Sequence, residues 1–349
     1  MVIFDGKDLS EFGVSAIGRG TYGSPARDVE TVHVPGRNGD VIFDNGCFYN
    51  AEVVYPDCSI DDRFPERFRA LRNFLMKNTK YRRLEDDYNP DEYRMARFTG
   101  AISPDVHTAR NNRSGVFTLT FDAQPQRWLR SGEDIIEVPV WQPSSNKARC
   151  RFTRANVEHS VVIGINSASV SVTVTYGSTT QTLSGATEYE LTMPAGTYLF
   201  DVSVSASFLW LDIRYERTNV RIKGANALQQ KATYGNYNEG DFTANPLFQI
   251  IPGASTIDVY VRDANTLAGN MSGAGTPMTI TTSTPSFVYY IDSQDMTAKK
   301  AAAGSPYKTD CTEEMSGEMP VLPVDSVGIY VAGATDSTRV QLIPRSWRI

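Results

Sequence analysis

The stretch Val34-Pro35-Gly36-Arg37-Asn38-Gly39-Asp40-Val41-Ile42-Phe43-Asp44-Asn45-Gly46 decides how this chain is read. Two Asn-Gly pairs bracket the short apolar run Val41-Ile42-Phe43, with Pro35-Gly36 ahead of the first. Asn and Gly tolerate the positive φ of type I′ turns, so the stretch reads as consecutive β-hairpins. Over residues 61–78 the period changes. Phe64, Phe68, Leu71 and Leu75 recur at helical spacing and share one helical face. Asp61 or Asp62 can cap this helix, Pro65 suits its first turn, and Asn78 can end it. Arg67, Arg69, Arg72 and Lys77 fall largely on the other sides, so the Phe/Leu stripe should lean on a sheet. Strands are expected at 81–84 and 93–98, around the turn Asp86-Asp87-Tyr88-Asn89-Pro90. Phe117, Leu119 and Phe121 alternate with polar residues and share one strand face. Gln124-Pro125-Gln126-Arg127-Trp128 reads as the break that ends that strand.

From about Glu133 charge falls while Ser, Thr and Val rise. Tyr189-Leu191-Met193, Phe200-Val202-Val204 and Leu209-Leu211-Ile213-Tyr215 are period-2 stripes separated by Gly, Pro and Ser turns. Strands at such spacing describe a small sandwich or jelly roll. A third β segment begins near Gly224, with Ile257-Val259-Val261, Phe287-Val288-Tyr289-Tyr290 and residues 327–331 as its strands. Residues 264–286, rich in Gly, Thr and Ser, read as loop or hairpin. The expected fold class is mainly β, divided at 1–132, 133–222 and 223–349.

The bulk numbers agree with a folded protein. Over 349 residues, 41% are hydrophobic and 21% charged, which leaves no case for wholesale disorder. No apolar run is long enough to span a membrane, so no membrane insertion is expected. The start Met1-Val2-Ile3-Phe4-Asp5 lacks the pattern of a signal peptide, which points to folding in a cytosol. The net charge of −6 argues against an ordinary nucleic-acid binder but not against a protein that DNA merely passes. Cys47, Cys58, Cys150 and Cys311 match no zinc or disulfide framework and read as free, mostly buried thiols.

No catalytic constellation emerges. His33, His107 and His159 lie far apart in sequence, with no Cys or carboxylate at ligand spacing, and HExxH, GxSxG, the P-loop and GxGxxG are absent. The acidic cluster Glu85-Asp86-Asp87 with Asp91-Glu92 interleaves with Arg82, Arg83, Arg94 and Arg97, which suits ion pairs and turn chemistry better than acid/base catalysis. It also lacks the ligand spacing of a calcium loop. No catalytic residue, cofactor or metal is therefore expected. Aromatic residues of the middle segment are the remaining lead. Trp210, Trp141 and Tyr198 are candidates for stacking on sugar rings, against the simpler reading that each fills a sandwich core. Tyr215 shares its stripe with Leu211 and Ile213, which favours core. Trp210 falls on the opposite face and is the better surface candidate.

The overall pattern carries more. Val34 to Asp40, then Phe43-Asp44-Asn45-Gly46 and Tyr49-Asn50, resembles the N-terminal signature of siphophage distal tail proteins. So do Arg83-Leu84-Glu85-Asp86-Asp87-Tyr88-Asn89-Pro90 with Tyr93-Arg94, and Phe117 to Phe121 leading into Pro125-Gln126-Arg127-Trp128. Asn238-Glu239-Gly240 with Pro246 and Ile250 resembles the opening of that family's galectin-like sandwich. Tyr290-Ile291-Asp292-Ser293, Pro320-Val321-Leu322 and Pro344-Arg345-Ser346-Trp347 resemble its close, although Pro323-Val324-Asp325-Ser326 stands where a Gly-rich approach is usual. Residues 134–222 lie outside the resemblance and read as an inserted β-sandwich, either a carbohydrate-binding module of the kind decorated members carry or a structural spacer.

The resemblance implies an N-terminal belt domain (a β-sandwich with one helix), the inserted sandwich, and a C-terminal galectin-like sandwich. It implies a non-enzymatic viral protein at the distal end of a bacteriophage tail, assembled in the host cytoplasm. A homo-hexamer would join the tail tube protein to the hub or tail-associated lysin protein, near the tape measure and receptor-binding proteins. DNA would pass through the ring without specific binding, and a host cell-wall glycan is a further candidate partner. The competing expectation is a stand-alone adhesin or lectin on bacterial polysaccharide. A tail depolymerase ranks behind both for want of a carboxylate pair.

Overall fold

Alternation at Phe117, Leu119 and Phe121 becomes the central strand of the first of two compact units. The structure is a computed structural model, and it describes residues 1–17, 21–77, 79–107, 114–142, 147–154, 159–206, 208–215, 218–223, 233–263 and 275–349. One unit comprises Met1–Arg130 with Trp347–Ile349, and the other Ser131–Ser346. The fold is mainly β, as expected.

In the first unit, β1 (Val2–Phe4), β2 (Lys7–Asp8), β3 (Val14–Ser15), β6 (Ala51–Ile60), β7 (Arg82–Asp86), β8 (Glu92–Phe98) and β10 (Ser114–Leu129) form an antiparallel sheet ordered β2-β1-β7-β8-β10-β6-β3. β9 (Asp105–His107) and β31 (Trp347–Arg348) also pair with β10. Helix α1 (Phe64–Met76) buries Phe64, Leu71 and Leu75 and packs Phe68 on the same core, as its spacing predicts. Phe68 meets Phe117 edge-on at 5.3 Å, which places the helix over β10. Separate from this sheet, β4 (Arg27–Val32) and β5 (Val41–Phe48) pair with each other as a two-stranded ribbon among the described residues.

Three local expectations need correction. The first Asn-Gly turn closes the β4–β5 hairpin, with Gly36 and Gly39 at positive φ, but the second closes nothing. Asn45-Gly46 is a bulge inside β5: pairing jumps from Arg27↔Phe48 to Val29↔Asp44, and the Asp44 carboxylate accepts the Gly46 N–H (2.9 Å). Local side-chain bonding thus absorbs the positive φ without turning the chain. Likewise, Gln124 to Trp128 does not end the strand. β10 runs on to Leu129, and a register shift between Ala123 and Arg127 lets Pro125 pass without a ladder N–H. Neither Asp61 nor Asp62 caps α1, because Arg63 occupies the N-cap at φ +45° and Asp62 pairs with Arg67 instead. Asn78, the expected stop, lies outside the described residues.

The second unit is built from three sheets that share one hydrophobic core. β12 (Val140–Gln142), β13 (Lys147–Arg154), β18 (Gly196–Val204), β15 (Val172–Tyr176) and β16 (Thr179–Leu183) form one sheet in that order. A second contains β11 (Ile136–Val138), β30 (Arg339–Ile343), β22 (Leu247–Ile251), β25 (Val288–Asp292), β26 (Thr297–Ala301) and β27 (Thr309–Asp310). Both face a nine-stranded sheet: β17 (Glu188–Met193), β14 (His159–Ile165), β19 (Trp210–Tyr215), β20 (Thr218–Lys223), β21 (Thr233–Asn238), β29 (Asp325–Ala332), β23 (Thr256–Asp263), β24 (Met278–Thr281) and β28 (Met315–Gly317). The stripes read from sequence line its interior: Val202, Leu211 and Ile213 at one end, Ile257, Val259 and Val261 at the other, in one continuous core. The boundary expected near residue 222 falls between β20 and β21, and these strands pair directly at Val220↔Gly235 and Ile222↔Thr233. Residues 264–274, within the stretch read as loop or hairpin, lie outside the described residues, and Met278–Thr281 is a strand.

Leu119, fully buried on β10, tests the first unit's core. Leu119→Ala is expected to cost about 3 kcal/mol, read as a lower urea midpoint for that unit. An unchanged midpoint would contradict the packing.

Candidate assembly surface

Ile42 and Phe43, adjacent on β5, must point to opposite faces of the hairpin because side chains alternate along a strand. Opposite Ile42 stands Thr31, and opposite Phe43 stands Glu30. Ile42 is 67% and Phe43 54% exposed, and among the described residues no further strand joins the ribbon. Val29, Val32, Val34 and Tyr49 are exposed in the same arm. A two-stranded ribbon is at best marginally stable alone in water, and this one offers large apolar side chains on both faces.

Polar contacts hold the ribbon's shape. Arg27 pairs with Asp44 (2.7 Å) and stacks on Phe48, Asp28 accepts from the Tyr49 hydroxyl (2.6 Å) and from Cys47, and His33 meets Asp40 (3.0 Å) beside the turn. The Tyr49 bond holds the Asp28 carboxyl below its ordinary range. Asp44 is lowered by the Gly46 N–H first and by Arg27 second.

At the arm's root the acidic cluster is committed to ion pairs and turns, as its interleaving with arginines suggested. Asp87 pairs with the N-terminal amine (2.5 Å), and Asp86 accepts from the Tyr55 hydroxyl (2.7 Å) and the Asn89 N–H (2.8 Å). Glu85 pairs with Arg83 and Arg130, and Glu92 with Arg127 (3.3 Å). Arg94 is 7% exposed and Arg127 stands directly opposite it across the sheet. Burial, with repulsion from Arg127 second, lowers the Arg94 guanidinium to about 10, so it remains charged near neutrality. Both arginines donate to the main chain ahead of the arm. Arg94 Nη2 reaches the carbonyls of Thr21 (3.3 Å) and Gly23 (3.2 Å), and Arg127 Nη2 reaches the same two at 3.1 and 3.4 Å. Both arginines stand in motifs quoted above, but their pairing was not legible there, because it depends on the bulge in β10.

Of the aromatic candidates of the second unit, Trp141 and Trp210 do not share a platform. Trp141 is 5% exposed and packs on Phe208 (5.2 Å between ring centroids), inside the core. Tyr198 lies on β18 opposite Phe152, and its side chain lies outside the described residues. Trp210 is half-buried on the outward face of β19, close over Gly164. The Arg221 guanidinium lies 4.8 Å from its ring centroid and is held in a fork by Asp212 (2.6 and 2.8 Å). Tyr215 turns toward the core side and donates to the Glu137 carbonyl (3.0 Å).

Other chemistry is sparse among the described residues. No group of three or more His, Cys, Asp and Glu is arranged to hold a metal ion. Cys58 and Cys311 are buried free thiols, raised by burial to about 12 and about 11, and Cys47 is exposed. The side chains of Cys150, His107 and His159 lie outside the described residues. No helix is long and apolar enough to cross a membrane.

No protein-family model matches the chain, and no curated protein matches it in sequence. Solved structures do match in fold. The SPP1 Dit protein, described as a paradigm of the hub adsorption apparatus in phages infecting Gram-positive bacteria, aligns with a TM-score of 0.52 over 98% of this chain and 96% of its own, at 10% identity. The phage p2 baseplate in its activated, strontium-bound conformation aligns over 98% of this chain and 89% of its own, with 11% identity and a TM-score of 0.39. The chain thus has a Dit-like fold.

The two arm carboxylates give a pH expectation. Both have folded pKa values below their ordinary ones, so their support is complete above about pH 4 and is lost as pH falls through the depressed folded values. Protection of the Gly46 amide, corrected for intrinsic exchange, should fall in that acid range. Protection unchanged down to about pH 2 would show that the carboxylates do not hold the bulge.

Proposed function

We propose that this protein is a structural, non-enzymatic component of a siphophage tail tip, forming a hexameric ring that joins the tail tube to the hub. One observation carries the proposal: the β4–β5 arm, whose two faces expose Ile42 and Phe43 among the described residues. A second copy of the chain is the occupant that fits. In a closed ring each arm can lie on its neighbour, and the same contact repeats until the ring is complete. The fold shared with a protein described as part of a phage hub adsorption apparatus supports the location. The tail tube protein and the hub or tail-associated lysin protein are the proposed axial partners, with tape measure and receptor-binding proteins nearby. The net charge of −6 favours a channel that DNA passes without sticking. Commitment of the acidic cluster to ion pairs supports the non-enzymatic assignment.

A second role has one observation in its favour. Trp210 sets a half-exposed indole beside the Arg221–Asp212 pair, which offers a sugar both an apolar surface and polar partners. On this proposal the strands of residues 133–222 are an accessory binder of host cell-wall glycan. The full-length chain should then be retained on host cell walls, and Trp210→Ala should reduce that retention. Equal retention of both would remove Trp210 from the role.

Native mass measurement of the full chain tests the ring. Six copies are expected for the wild type, and Ile42→Asp with Phe43→Asp should give a monomer that keeps the β-rich circular dichroism of the wild type. Persistence of the same oligomer in that variant would contradict assembly through the arm.

A further inference from the structure

We infer that Arg94 and Arg127 are positioning residues for the arm: their two guanidinium groups grip the Thr21 and Gly23 carbonyls and thereby fix the direction in which β4–β5 leaves the sheet. The inference rests on the proposal that the arm makes the ring contact, and it adds the residues that aim it.

Arg94 on β8 and Arg127 on β10 are direct cross-strand partners. Like charges directly opposite each other destabilise a sheet, and an apolar pair would serve the sheet better. The register that creates this pairing is produced by the bulge between Ala123 and Arg127. Something outside the two strands has to balance the charges, and the nearest acid covers only part of the need. Glu92 and the Asn89 side-chain oxygen accept from Arg127 Nη1 at 3.3 and 3.5 Å. The remaining bonds go to the segment leading into the arm, where each guanidinium reaches both carbonyls.

Each guanidinium uses its Nη2 to reach both carbonyls, so four charge-assisted bonds converge on two acceptors. Donors arriving from two strands restrict the position of the Thr21 and Gly23 peptides more than one donor would. Thr21, 2% exposed, is further held through its hydroxyl, which accepts from Asn89 Nδ2 (3.3 Å). Tyr22 donates to the Tyr88 carbonyl (3.0 Å), and Tyr88 donates to the Ala16 carbonyl (3.1 Å). The chain is therefore fixed at 21–23, four residues before β4 begins at Arg27. Beyond that point the Tyr49 N–H bonds the Ala26 carbonyl (2.9 Å), tying the return strand to the same root. If the segment detached, two largely buried cations would lose most of their acceptors, so docking of the root is strongly favoured.

The test uses the full chain with Arg94→Met and Arg127→Met together, which keep side-chain length and remove both charges. Three quantities are read: thermal midpoint, amide exchange over residues 27–32 and 41–48 below the concentration at which copies associate, and the oligomer fraction by native mass. The expected result is a midpoint near wild type, arm exchange faster by roughly 10-fold or more, and loss of the ring. Arg94→Lys with Arg127→Lys keeps charge on a shorter, non-planar donor and should recover only part of the arm's protection. Wild-type exchange in the double Met variant, or a loosened arm that still assembles fully, would overturn the inference. If the double Met variant fails to fold, Arg127→Met alone is read on the same scale, with faster arm exchange supporting the inference and unchanged exchange overturning it. If even the wild type forms no ring, the ring proposal fails separately and arm exchange alone decides whether the arginines hold the root.

Discussion

A two-stranded ribbon cannot bury both of its own faces, and the organisation of the first unit follows from that constraint. Its sequence places Ile42 and Phe43 side by side, so alternation commits one apolar side chain to each face. An isolated hairpin would be better served by polar residues there. A hairpin that another surface covers has use for apolar ones. The polar contacts around it fit that role, since Arg27–Asp44 and Tyr49–Asp28 fix the ribbon's own shape without covering it.

The sheet beneath supplies what the ribbon lacks. Its core of Leu119, Phe121, Leu71 and Leu75 is fully buried, giving the root a firm base. The bulge in β10 then turns a break in the ladder into a device, because it sets Arg94 opposite Arg127 where the main chain at Thr21 and Gly23 can engage both. The second unit follows a different logic. One nine-stranded sheet serves two facing sheets, so strands on either side of residue 222 stabilise each other through a common core.

Period-2 stripes and the helical Phe/Leu face were legible because burial on one face leaves its period in the sequence. Phe117, Leu119, Phe121 and Val202 are all where alternation put them. Local signals with two physical outcomes were not legible. Asn45-Gly46 supplies a positive φ, and whether that makes a turn or a bulge depends on where the partner strand lies. Pro125 removes one N–H, and whether that ends a strand depends on the register of β8. The apolar run Val41-Ile42-Phe43 was visible, but its exposure was not, since exposure is a property of what fails to pack on it. Trp141 and Trp210 make the same point in reverse: two strand tryptophans, one enclosed by Phe208 and the other left at the surface with Arg221.

Cryo-electron microscopy of the assembled particle is the most direct measurement of the central claim, that the uncovered arm is the contact between copies. A sixfold ring is expected in which Ile42 and Phe43 of each copy are buried against its neighbour. A ring that leaves both exposed, or a chain that stays monomeric even with the tail tube and hub proteins present, would contradict it.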